Sequence, residues 1–158
     1  ADEAGAALVV LPELALCGYP PRDLLAKPAF LRQNQEALES LTKRSGKAVA
    51  VVGYAAANET DSGRPAQNSA AVLQDGQVAA VRHKTLLPNY DVFDEDRYFE
   101  PATGNTPVEI LGTKVGITLC EDIWNDEVFL HDRRYDRRPA EELAADGAEL
   151  LLNLSASP

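Results

Sequence analysis

Methionine is absent from all 158 residues, tryptophan occurs once and cysteine only twice. With no methionine the chain has no start residue of its own and reads as a piece of something longer. Two cysteines, Cys17 and Cys120, make a disulfide scaffold a poor expectation, and no metal-type spacing surrounds them. A reducing cytoplasm is the expected compartment. Positive charge is also scarce. Fifteen Lys and Arg against 25 Asp and Glu leave a formal charge of −10, which argues against a nucleic-acid partner, whose phosphates need clustered cations, and would be repelled by an anionic membrane. The one basic cluster, Arg133, Arg134, Arg137 and Arg138, is interrupted by Asp132 and Asp136 and reads as a solvated loop. Long apolar runs are missing too: Leu8 to Leu16 is broken by Pro12 and Glu13, which rules out a signal peptide or a membrane span there.

What remains is ordinary for one globular domain, with 45% apolar and 25% charged residues. Ala7 to Leu11 is a short continuous apolar run, the pattern of a strand buried on both faces. From Pro28 to Arg44, Phe30, Leu31, Ala37, Leu38 and Leu41 recur at helical spacing, with Pro28 suited to the first turn and Gly46 beyond the end. Ala48 to Val52 reads as a second buried strand. Ser69 to Gln74 and Gln77 to Arg82 flank Asp75-Gly76, a two-residue hairpin signal. Lys114 to Leu119 reads as a further strand, Pro139 to Asp146 as a short helix closed by Gly147, and Glu149 to Leu154 as the last strand. This alternation predicts a mixed sheet covered by helices, an α/β layer fold.

In such sheets functional residues gather just beyond strand ends. Glu13, Lys84 and Cys120 each stand there. A free thiol has a pKa of about 8.5, so a nucleophilic cysteine needs a base or a positive field beside it. Taken singly, Cys120 reads as a buried inert thiol, Glu13 as a capping or salt-bridged carboxylate and Lys84 as a surface amine. A partly desolvated glutamate is nevertheless suited to general-base work, and a lysine aimed into a pocket to holding an oxyanion.

Read with their flanks, the three change meaning. Leu11-Pro12-Glu13-Leu14, Lys84 followed by Leu87-Pro88, and Cys120-Glu121-Asp122-Ile123-Trp124 resemble, in order and setting, the nitrilase (carbon–nitrogen hydrolase) superfamily. The long motifs Leu11 to Leu25 and Lys84 to Pro101, with the closing Asn153 to Pro158, are similar to the glutaminase domain of glutamine-dependent NAD synthetases. The resemblance spans roughly Leu8 to Pro158. It implies an α-β-β-α sandwich, incomplete in this chain, with residues 1–158 forming part of a glutamine amidotransferase domain.

The same resemblance implies roles. Glu13 would be the general base, Cys120 the nucleophile on the glutamine amide, and Lys84 with the backbone N–H after Cys120 the oxyanion donors. Tyr19, Tyr90, Glu121 and Ser157 would read the α-amino and α-carboxylate groups of L-glutamine, and Glu95 would be a second glutamate near the lysine. The family domain opens with a strand and helix not found here, and continues past Ser157-Pro158. Asn125 to Arg138 is longer than in many relatives. No cofactor is expected in this chain: ATP and Mg belong to a synthetase domain of the same parent chain, and nothing here resembles a nucleotide site. Homo-oligomers through nitrilase-type contacts are a further implication. A stand-alone amidase of the superfamily and a non-catalytic interaction module are the competing readings.

Overall fold

The computed structural model describes residues 1–60, 62–125 and 135–156. The first strand, β1 (Leu8–Val10), is followed by a loop and by α1 (Pro28–Lys43). Pro28 occupies the first helical turn, where its missing N–H costs nothing. Leu31, Asn34, Leu38 and Thr42 form the buried stripe of α1 at spacings of three and four. Next come β2 (Val49–Ala57), β3 (Ala66–Gln74) and β4 (Gln77–His83). Asp75 and Gly76 both take positive φ, 52° and 72°, as a tight hairpin turn demands. β1 runs parallel to β2, and β2, β3 and β4 are successively antiparallel, in the spatial order β1-β2-β3-β4.

A second sheet contains β5 (Val108–Ile110), β6 (Thr113–Leu119) and β7 (Leu150–Leu154). β5 and β6 form a hairpin about Leu111-Gly112, while β6 and β7 are parallel. Their crossover carries α2 (Pro139–Ala145). Among the described residues there are thus two sheets rather than the single mixed sheet expected from periodicity. The helix-covered and sheet-covered faces of a strand are equally apolar, so pattern alone does not separate one sheet from two.

The sheets pack face to face. Val49, Val51, Ala70 and Val72 of the first meet Ile110, Val115, Ile117, Leu119 and Leu154 of the second in one core cluster. Residues of alternate parity on the first sheet, Val52, Tyr54, Ala56, Ala71 and Leu73, pack with Leu38 of α1. On the far side Leu143 of α2 lies against Gly116 of β6, where a Cβ would collide with Leu151 and crowd Leu143 and Ala148. The order α1, sheet, sheet, α2 is the expected α-β-β-α sandwich. No helix among the described residues is long and apolar enough to cross a membrane.

This arrangement sets several strand ends side by side. The chain leaves β1 toward Glu13, β4 toward Lys84, β6 toward Cys120 and β7 toward Ser155. Gly53 of β2 lets the Glu13 loop lie close, since a Cβ there would strike Pro12 O and Leu14 N.

Candidate active site

Lys84 is the centre of the site. Its backbone is fixed by two bonds, its N–H donating to Asn68 O (2.8 Å) and its carbonyl accepting from Ala102 N (2.9 Å). The side chain is completely buried, and its ammonium lies 2.7 Å from Glu13 Oε1 and 2.8 Å from Glu95 Oε2. Glu95 Oε1 also receives it, at 3.0 Å. Burial alone would lower the lysine pKa, but Glu95 and Glu13 outweigh it and raise it, so Lys84 stays charged. Two carboxylates share one ammonium. Burial accordingly pushes Glu95 above its usual range against the pull of Lys84, with Glu13 adding to the rise.

Glu13 follows the end of β1 and is 2% exposed. Oε1 accepts from Lys84 Nζ and from Asn68 Nδ2 (2.7 Å), and Oε2 accepts from Ala156 N (3.2 Å). Glu95 receives a further bond from the Tyr19 hydroxyl (2.8 Å). That hydroxyl is made hard to ionise, first by burial and then by Glu95. Tyr19, expected among the residues reading the glutamine α-groups, thus places its hydroxyl on Glu95.

Cys120 immediately follows β6 and opens a 3-10 turn, Cys120–Ile123. Its φ of 43° lies in the left-handed region that side chains rarely adopt, a local strain that takes the thiol off the strand path. Ser155, just beyond the neighbouring strand β7, donates its hydroxyl to Sγ at 3.4 Å. Burial raises the thiol pKa; the Ser155 bond opposes this, Glu13 adds to it, Lys84 opposes it and Glu95 adds. Cys120 is therefore held as a thiol at neutral pH, within the field of all three charged groups. Cys17, in contrast, packs against the cluster of Leu14, Leu25 and Leu31, where burial also pushes its pKa up.

Glu121 is buried and its carboxylate is gripped by two phenols. Tyr90 donates to its two oxygens at 2.9 and 2.8 Å, and Tyr135 donates to Oε1 at 3.0 Å. Phe93 links the aromatic rim, edge-on to Tyr90 (5.8 Å between ring centres) and tilted against Tyr19 (6.4 Å). Ser157 lies outside the described residues, as do Arg133 and Arg134.

The expectation of a solvated loop fails for Arg137. Its guanidinium bonds both carboxylate oxygens of Glu142 and the carbonyl of Ala102, whose own N–H holds Lys84. Asn125 contributes to this by donating to the carbonyls of Tyr135 and Arg137, which ties those two residues to the end of the Cys120 motif.

Sequence reasoning assigned no role to Asn68, Asp122, Tyr135 or Ser155. Asn68 offered the clearest signal: a fully buried short carboxamide near the start of β3, where the strand turns small and apolar. Asp122 stands inside the Cys120 motif and accepts three backbone N–H groups, from Thr85, Leu86 and Leu119.

The carbon–nitrogen hydrolase family model matches residues 1–158. Glutamine-dependent NAD(+) synthetases of Synechocystis and Thermotoga maritima are 43% and 42% identical over the full length of this chain. The chain spans only 29% and 25% of those two relatives. Among solved structures, the glutamine-dependent NAD+ synthetase of Acinetobacter baumannii in complex with ADP aligns over 99% of this chain and 27% of its own, at 37% identity and a TM-score of 0.83. A carbon–nitrogen hydrolase of Helicobacter pylori aligns over 98% of this chain and 49% of its own, at 26% identity and a TM-score of 0.71.

Proposed function

The chain belongs to the carbon–nitrogen hydrolase family, and on that premise we propose that it hydrolyses the side-chain amide of L-glutamine through a thioester on Cys120, supplying ammonia to a synthetase domain elsewhere in the full-length chain. The observation that carries the reading is the buried Glu13–Lys84–Glu95 cluster beside a cysteine on a left-handed corner. The relatives named glutamine-dependent NAD(+) synthetases support extending the proposal to NAD+ formation; nicotinic acid adenine dinucleotide as the acceptor, and ATP and Mg used by the synthetase domain, are part of the same proposal.

The chemistry follows from the pairings. Cys120 rests as a thiol, so attack needs a base, and Glu13 takes the S–H proton as Sγ bonds to the amide carbon. Oε2 of Glu13 has one backbone donor and retains capacity for that proton. An ammonium has three N–H groups; Glu13 and Glu95 engage two on Lys84, leaving one for the developing oxyanion. The backbone N–H of Glu121 is the second donor. Collapse of the tetrahedral adduct breaks the C–N bond, and the proton held by Glu13 leaves with ammonia. Water then gives a proton to Glu13 and attacks the thioester. Breaking the C–S bond returns the proton to the thiol and releases glutamate. Glu121, its carboxylate oriented by Tyr90 and Tyr135, meets the α-ammonium of glutamine.

The test is ammonia release from L-glutamine by the full-length chain and its Cys120→Ala form. Release that depends on Cys120 supports the reading. Release that survives the substitution overturns it.

A further inference from the structure

Lys84 and Cys120 come from different sheets: Lys84 leaves β4 of the first, Cys120 leaves β6 of the second. Packing between apolar faces does not by itself register two loops to the tolerance that an oxyanion site needs, roughly half an ångström. A direct polar link between them exists. Asp122 Oδ1 accepts the N–H of Thr85 (3.0 Å) and of Leu86 (2.8 Å), while Oδ2 accepts the N–H of Leu119 (3.0 Å). Thr85 immediately follows Lys84, and Leu119 immediately precedes Cys120. The two oxygens of one carboxylate therefore hold the lysine loop and the cysteine corner together. Asp122 is 2% exposed, so water does not compete for these bonds.

We propose that Asp122 is a positioning residue that sets the distance between the Cys120 nucleophile and the Lys84 oxyanion donor. The inference rests on the glutaminase reading of this site. A carboxylate suits the task because it offers acceptors in two directions and no donor. A carboxamide would keep one side of the clamp and set an N–H against an N–H on the other. Burial raises the Asp122 pKa to about 6, against the pull of its backbone donors and Lys84, so it is ionised and able to clamp at neutral pH.

The experiment compares full-length wild type, Asp122→Asn and Asp122→Ala in steady-state glutamine hydrolysis, with thermal melting as the check on folding. The expected result is a fall in kcat of about 10- to 100-fold for Asn and more for Ala, with KM changed less than about threefold. First-order trapping of Cys120 by a saturating γ-electrophilic glutamine analogue should slow in parallel. Folded variants with wild-type kcat, or a loss wholly in KM, overturn the proposal. Backbone amide hydrogen exchange provides a readout without substrate. Thr85, Leu86 and Leu119 should exchange slowly in wild type, and Asn should speed exchange on one side of the clamp only. Fast exchange at any of the three in wild type overturns the proposal even if neither variant folds. A wild type that releases no ammonia while the exchange pattern holds refutes the glutaminase reading and leaves the clamp standing.

Discussion

Replacing Lys84 by Met removes the only cation bonded to both Glu13 and Glu95 among the described residues. Two effects follow, and they differ in kind. For catalysis, loss of one oxyanion donor costs roughly 10²–10³ in rate, or about 3–4 kcal/mol. The loss should exceed that range, because Glu13 and Glu95 both lose the ammonium that orients them beside Cys120. For stability, removing one partner of a buried ion pair costs about 3–5 kcal/mol, a large part of the 5–15 kcal/mol typical of a domain. The assay must therefore read both. Glutamine-dependent ammonia release should fall at least about 10²-fold in the full-length chain. Ammonia-dependent NAD+ synthesis, which bypasses the site, should persist, and the melting temperature of the hydrolase part should drop. A folded Lys84→Met protein with glutaminase turnover within about threefold of wild type would refute the reasoning, because the ammonium would then have no part in the reaction.

Gly53→Ala should lower turnover without touching a charged group, since its methyl meets Pro12 O and Leu14 N on either side of Glu13; unchanged kcat would show that the Glu13 loop tolerates displacement. Tyr90→Phe should raise KM for glutamine by about tenfold and leave kcat nearly unchanged, because a bond to a charged group contributes about 1.5–3 kcal/mol and Tyr135 still holds Glu121; a fall confined to kcat would contradict a binding role. Asp122 has a folded pKa of about 6 against an ordinary 3.8, so between these values the folded state binds more protons than the unfolded one. Its contribution is present below about pH 4 and is lost as pH rises through about 6, a change of about 3 kcal/mol. Urea unfolding across this range should show that slope in wild type and not in Asp122→Asn; equal slopes would show that Asp122 titrates normally.

The parts of the fold that were legible in the sequence are those set by local chemistry. Asp75-Gly76 announced its hairpin because both residues must take positive φ, and Pro28 marked a helix start because its missing N–H is harmless there. β5 was not legible: three residues carry too little pattern, and its turn, Leu111-Gly112, lacks the usual Asn or Asp. β2 extends through Gly53-Tyr54-Ala55-Ala56-Ala57, where every residue but Tyr54 is a weak strand former, and pairing with β3 makes the extension regular. The same division holds at the site. Glu13, Lys84 and Cys120 were found because each stands where a strand ends, in a motif with recognisable flanks. That Glu95 and Tyr19 belong to one hydrogen-bonded chain depends on a separation of 76 residues and is a product of topology. Asn68 and Asp122 escaped because each binds partners from other elements, and no spacing within the chain records that.

The proposed chemistry is tested most directly by stopping the full-length protein with acid during turnover of L-glutamine and mapping the peptides by mass. A γ-glutamyl adduct on the Cys120 peptide, labile to mild base and absent from both the Cys17 peptide and the Cys120→Ala protein, is the predicted result. Steady ammonia release with no adduct on Cys120 at any time point, or an adduct on Cys17 instead, would contradict it.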